Sequence, residues 1–200
     1  MKNNEVKSGA SSGIELAFIP LAVGLNIGIG TIVQILKLPI FLDSIGTIIT
    51  ACIFGWWIGA IVGVLSFMIT SITTFPPAIY FSGTQVCIAV YVYLVAKNGG
   101  YRTYVWTAFS GIGLALLAAV VSAPVIYYLF GGLTGNGVGF ITIYFQSIGI
   151  NKPSSVLISG ILAEMIDKTL QVIIAIFIVN SIPKFMLSKI NNELIIKNFL

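Results

Sequence analysis

The chain has 200 residues, of which 58% are hydrophobic and 8% charged, with a formal net charge of +4. A soluble domain carries roughly 25% charged residues, so this composition cannot cover a water-exposed surface, and lipid is the expected solvent. The basic excess forms no block of like charges and no basic helical face, which argues against nucleic acid as a partner, and the length allows one membrane domain, 1–200, with no separate soluble one.

Residues 1–13 read as a polar tail rather than a signal peptide, because the apolar run that follows is too long for a signal h-region. Span 1 is placed at 14–36, interrupted by Glu15, Asn26 and Gln34, with Pro20 expected to kink it. Span 2 covers 38–54. Its start, Pro39 to Asp43, reads as extended or re-entrant before a short helix capped by Asp43 or Ser44. Trp56 and Trp57 mark a membrane interface, where indoles favour the headgroup level. Span 3 is 58–74, broken by Pro76 and Pro77. Span 4 is 82–96, followed by the charged turn Lys97 to Arg102. Span 5 is 104–130, with Ala115, Ala118, Ala119, Ser122 and Ala123 as a small face for close packing. The glycine-rich stretch 131–153 is expected to be an outer loop folded over the bundle, too rich in glycine for a stable helix. Span 6 is 154–179. The tail 184–200 reads as a short amphipathic helix at the cytoplasmic interface.

The expected fold is therefore all-α, a six-transmembrane-helix bundle. With the N-terminus inside, Lys2, Lys7, Lys97, Arg102, Lys184, Lys189 and Lys197 are cytoplasmic, and only Lys37 and Lys152 are outside. Seven against two obeys the positive-inside rule, so both termini are placed in the cytoplasm.

Ionisable residues inside hydrocarbon cost at least about 2.5–3.5 kcal/mol each, so they mark function by default. Span 6 carries Glu164, Asp167 and Lys168, followed by Gln171, and the i, i+3, i+4 spacing puts all four on one helical face. This face is either an internal ion pair locking span 6 or the polar wall of a substrate cavity. Asp43 is either an acidic helix cap or a binding residue. Asn26, Gln85, Tyr144 and Gln146 are further candidates for a polar cavity, although tyrosines near interfaces are commonly belt residues. Gly24-x-x-x-Gly28 on span 1 is a small-xxx-small motif, suited to packing within the chain or against a membrane partner. Catalysis is not indicated. There is no histidine, no Walker A loop, no Rossmann fingerprint and no nucleophile–base set. Cys52 and Cys87 make no metal site. The chain is not expected to be an enzyme or to hold a metal or cofactor of its own.

Three segments carry a family resemblance: Leu36-Lys37-Leu38-Pro39-Ile40-Phe41-Leu42-Asp43-Ser44-Ile45-Gly46-Thr47, the turn Phe54-Gly55-Trp56-Trp57-Ile58-Gly59-Ala60, and Glu164-Met165-Ile166-Asp167-Lys168 with Ile182-Pro183-Lys184. With the size and topology they resemble a substrate-binding S component of an energy-coupling factor (ECF) transporter. The resemblance implies a multi-pass protein of a prokaryotic plasma membrane. It would capture a small water-soluble vitamin near the outer face and dock on a membrane coupling subunit with two cytoplasmic ATPases, which use the ATP. Docking in that family uses small residues on the first helix, often Ala-x-x-x-Ala; here Ala17, Ala22, Gly24 and Gly28 stand instead. The first segment is most similar to the pantothenate branch, for which Lys168 or Lys37 would hold the carboxylate. The alternative is a pyridoxine or hydroxymethylpyrimidine S component, with Glu164 or Asp167 accepting hydrogen bonds. No rich aromatic box is expected in the outer half. A membrane sensor module of a signalling system is the reading from another class.

Overall fold

A computed structural model of the chain describes residues 2–133, 137–190 and 198–199. Every regular element among them is helical: α1 (Lys2–Ile35), α2 (Ile45–Phe54), α3 (Trp56–Thr73), a 3-10 turn (Pro76–Phe81), α4 (Ser82–Lys97), α5 (Tyr104–Leu129), α6 (Gly137–Ser147), α7 (Lys152–Ser181) and α8 (Lys184–Lys189). Four segments, Glu15–Ile35, Trp56–Thr73, Pro76–Lys97 and Tyr104–Leu129, are long and apolar enough to cross a membrane. Large apolar side chains on their outer faces are exposed, among them Ile35, Ile72 and Tyr128. A surface of that kind suits acyl chains and not water. The chain is a membrane-embedded helical protein.

The helix ends follow local chemistry. The Thr103 hydroxyl accepts from the Trp106 amide at the start of α5, and the Asn151 side chain accepts from the Ser154 amide, 3.0 Å, at the start of α7. Gly99, at φ 73, ends α4: the Gly100 amide reaches Val95 O and the Gly99 amide reaches Ala96 O, the pattern that a left-handed residue after a helix permits.

Several boundaries differ from the sequence reading. The polar tail is helical from Lys2 and continuous with α1, and Pro20 lies inside that helix. The second element is helical only from Ile45, so it holds 10 residues, too short to cross a bilayer alone. The glycine-rich stretch contains α6. Its glycines sit mostly at the ends: Gly131 and Gly132 take positive φ in the turn after α5, and Gly149, at φ 92, stops α6 with the amides of Gly149 and Ile150 bonded to Gln146 O and Phe145 O. The apolar residues between them make the helix, and in lipid a helix is the cheapest way to satisfy their amides. Gly135, Asn136 and residues 191–197 and 200 of the expected tail helix lie outside the described residues.

The short α2 is the centre of the molecule. Residues Ile45 to Ile53 are all buried, and α1, α3, α4 and α7 pack around them. Gly46 makes this possible, because a Cβ there would run into the Ala22 carbonyl of α1. The densest pairing is α5 with α7. It uses the small face read from the sequence: Ala115, Ala118, Ala119 and Ser122 are buried, and a Cβ on Gly111 would lie 2.6 Å from Thr169 Cα. At one end of the bundle, Tyr101 of the α4–α5 turn packs with Leu187, Ile190 and Phe199, and Asn198 accepts from the Tyr101 amide and donates to Ala96 O. Burial there pushes the Tyr101 phenol well above its usual range, so it is a neutral core group.

Candidate functional site

The opposite end holds a cavity of about 400 Å³. It lies between the second half of α1, residues 37–43, the end of α3 with the 3-10 turn, the start of α4, the end of α5 and the middle of α7. Its polar end is built by α7. The buried stripe of that helix contains Glu164, Asp167, Lys168 and Gln171 among Ser, Ala and Val residues. At about 100° per residue the four form two adjacent columns, 164/168 and 167/171, roughly 60° apart.

The two columns have different duties. Glu164 and Lys168 line the cavity. Asp167 and Gln171, both fully buried, face the segment 41–44 that leads into α2. Asp167 Oδ1 accepts the amides of Phe41 and Leu42, each at 2.8 Å, and Gln171 Oε1 accepts the Ser44 amide at 2.8 Å. Leu42 has φ 50, in the left-handed region, within the segment that these bonds hold. Asp167 Oδ2 accepts from Lys168 Nζ and Gln171 Nε2, both at 2.6 Å. Both oxygens of Asp167 are therefore used. The ammonium of Lys168 is also 3.4 Å from Glu164 Oε2 and 3.7 Å from Asp43 Oδ1, and lies over the Phe41 ring.

A second network continues from Asp43 into the bundle. The Ser44 hydroxyl donates to Asp43 Oδ1 and accepts from Gln85 Nε2, and Gln85 Oε1 accepts from Thr47. Asn26 Nδ2 donates to Thr47 Oγ1 and Ser66 Oγ, while its Oδ1 accepts the Gly46 amide at 2.7 Å. This corrects the expected cap. Ser44 stands at the N-cap of α2 and its side chain makes no capping bond, because its hydroxyl is committed to Asp43 and Gln85. Asn26 of α1 satisfies a first-turn amide instead.

Of the residues singled out in the sequence, Glu164, Lys168, Asp43, Asn26 and Gln85 line the cavity. Asp167 and Gln171 stand behind it. Tyr144 is exposed on α6, and Gln146, on the same helix, is not part of the wall. Of the small residues on α1, Ala17, Gly24 and Gly28 are exposed, whereas Ala22 is buried against α2 and cannot meet a partner.

The sequence reading missed the aromatic wall. Phe41, Phe67, Phe75, Phe81 and Phe130 line the cavity, and Phe130 stacks with Phe75 at 6.1 Å and with Phe81 at 6.0 Å. The signal for two of them was local, since Phe75 and Phe81 bracket the Pro76-Pro77 turn. Phe67 and Phe130 come from distant helix ends, and nothing in their spacing joins them. Thr47 and Ser66 were missed as well, and Ser44 was read only as a cap, because single hydroxyls are common in membrane helices.

The arrangement can enclose a small molecule with one polar end and one flat apolar face. Such pockets, mostly apolar with few convergent polar groups, are the usual form of a ligand site. No protein-family model, curated protein or solved structure matches this chain.

Proposed function

We propose that the chain is the substrate-capturing membrane subunit of an ECF-type importer in a prokaryotic plasma membrane. The observation that carries this reading is the 400 Å³ cavity at one end of the bundle, with a charged wall on α7. A structural ion pair alone needs no cavity beside it. In this reading α7 and the short α2 complete six crossings, and both termini are cytoplasmic. The grouping of charge supports that direction: Lys97, Arg102 and Lys184 belong to the end where the α4–α5 turn meets α8, away from the cavity. The cavity then opens outward, where a scarce nutrient is met.

The exposed Ala17, Gly24 and Gly28 on α1 are the proposed contact for the coupling subunit. A Cβ on Gly24 or Gly28 meets nothing within 4 Å, so among the described residues these glycines pack against no other helix. The energy comes from ATPase partners.

The pantothenate reading rests on the motif around Asp43. It asks for a cation free to hold a carboxylate, and Lys168 is already ringed by three carboxylates. The substrate class is taken up below.

The test is to purify the full chain from membranes, identify any bound small molecule by mass spectrometry, and measure its uptake into vesicles with and without the coupling subunit and ATPases. Uptake that needs both the chain and ATP is the expected result. A chain that carries no molecule and adds nothing to uptake overturns the proposal.

A further inference from the structure

The charged end of the cavity has an imbalance. Lys168 is the one buried cation among the described residues, and three carboxylates stand around it. The short contact goes to Asp167, at 2.6 Å, on the side away from the cavity. Glu164 Oε2 is left with the ammonium at 3.4 Å and no hydrogen-bond donor, although the residue is only 6% exposed. Asp43 uses Oδ1 for Ser44 and for the distant ammonium. A buried carboxylate oxygen such as Glu164 Oε2 normally accepts a donor, and Asp43 is partly exposed to the cavity. What the wall lacks is donors and positive charge.

The rest of the cavity favours a flat body. The ring of Phe130 stacks with those of Phe75 and Phe81, and Phe41 lines the cavity from the 37–43 segment. Aromatic faces also attract a cation, which adds to the same preference. Lys37 is the other cation on the wall, but it is exposed at the mouth, where water and salt screen it.

Building on the capture reading above, the geometry points to a flat heterocyclic ligand with a cationic or amino-bearing end, which donates to Glu164 and Asp43 while the apolar ring lies against the phenylalanine wall. Lys168 stays with Asp167 and does not anchor the ligand. A carboxylate ligand is disfavoured at this end, because it would add a fourth negative group to the ring around one ammonium.

The full chain in detergent is titrated by calorimetry with 4-amino-5-hydroxymethyl-2-methylpyrimidine as the donor-bearing probe and with pantothenate as the carboxylate probe, and the endogenous passenger is identified by mass spectrometry. The expected result is binding of the aminopyrimidine, or recovery of a cationic or amino-bearing heterocycle as passenger, with pantothenate at least 10-fold weaker. Glu164→Gln and Asp43→Asn each weaken the donor-bearing ligand at least 10-fold at an unchanged gel-filtration profile, and Glu164→Asp recovers part of the loss. Pantothenate binding as tightly, an anionic passenger, or both carboxamide variants binding normally overturns the inference and leaves the capture reading standing. Absence of any passenger, together with no binding of either probe, overturns both.

Discussion

Replacing Asp167 by alanine should release the segment that leads into α2. In the wild-type chain Asp167 Oδ1 holds the amides of Phe41 and Leu42, each at 2.8 Å, and the residue is fully buried. A hydrogen bond to a charged group contributes about 1.5–3 kcal/mol. Losing one such bond at each amide lowers its local opening energy by that amount, which accelerates exchange about 10- to 150-fold at about 1.4 kcal/mol per decade. The substitution also deprives Lys168 of its 2.6 Å partner and Gln171 of its acceptor. Removing one partner of a buried ion pair costs about 3–5 kcal/mol, here reduced because Glu164 and Asp43 remain near the ammonium. The assay is hydrogen–deuterium exchange by mass spectrometry on the purified chain, read on peptides covering 38–45 and on α5 as a control. The expected outcome is fast exchange confined to the 38–45 peptides, together with a lowered melting temperature. Exchange at wild-type rates over 41–44 would show that Asp167 does not hold this segment, and the division of α7 into two columns would fall with it.

Two further outcomes follow from the packing. Asn26→Leu removes three bonds that join α1 to α2 and α3; at about 0.6 kcal/mol for each interhelical bond, plus an unsatisfied Gly46 amide, it should destabilise by roughly 2–4 kcal/mol in thermal unfolding, and an unchanged melt would refute the network. Gly46→Ala forces a Cβ against the Ala22 carbonyl and should cost about 1–3 kcal/mol, whereas Gly24→Leu with Gly28→Leu, in open space, should leave the melt unchanged and, on the proposed function, spare ligand binding and lower uptake by the proposed transporter; equal melts for the two sets, or normal uptake in the double variant, would count against this division of labour on α1.

The parts of the fold that could be read from sequence are those fixed by local rules. Pro76, the Lys97–Arg102 turn and Pro183 end helices whatever surrounds them, so α3, α4, α5 and α7 lie within a few residues of their expected spans. The polar stripe of α7 was legible because helical spacing alone puts Glu164, Asp167, Lys168 and Gln171 together. Which column faces the cavity was not, since a roughly 60° rotation is set by the neighbouring helices and leaves no trace in spacing. α6 was missed because its glycines were weighed as helix breakers, whereas Gly149 acts as a stop signal and Gly137 lets the helix start close to Pro39 N and Lys37 O. Ser44 stands at the N-cap of α2 as one of the two expected residues, but Asn26, 20 residues from Gly46, supplies the acceptor that a local rule assigns to the cap side chain. The phenylalanine wall is tertiary in origin, since its rings come from α3, α5 and two connecting segments.

The charges of α7 explain why the segment 41–44 and the cavity belong to one device. In the six-crossing reading proposed above, three ionisable groups at about 2.5–3.5 kcal/mol each oppose placing this helix in lipid by roughly 8–10 kcal/mol. The helix offsets part of that internally, through Lys168 with Asp167 and Glu164. It cannot offset the rest, because one ammonium does not satisfy two carboxylates. Asp167 therefore takes its remaining donors from the backbone of Phe41 and Leu42, and Lys168 gains Asp43 from the same segment. The segment in turn keeps a left-handed leucine, at a cost of about 1–2 kcal/mol, which those bonds support. Each side is incomplete without the other. Glu164 and Asp43 on the cavity wall thus share one ammonium with Asp167, the residue that holds the amides of Phe41 and Leu42.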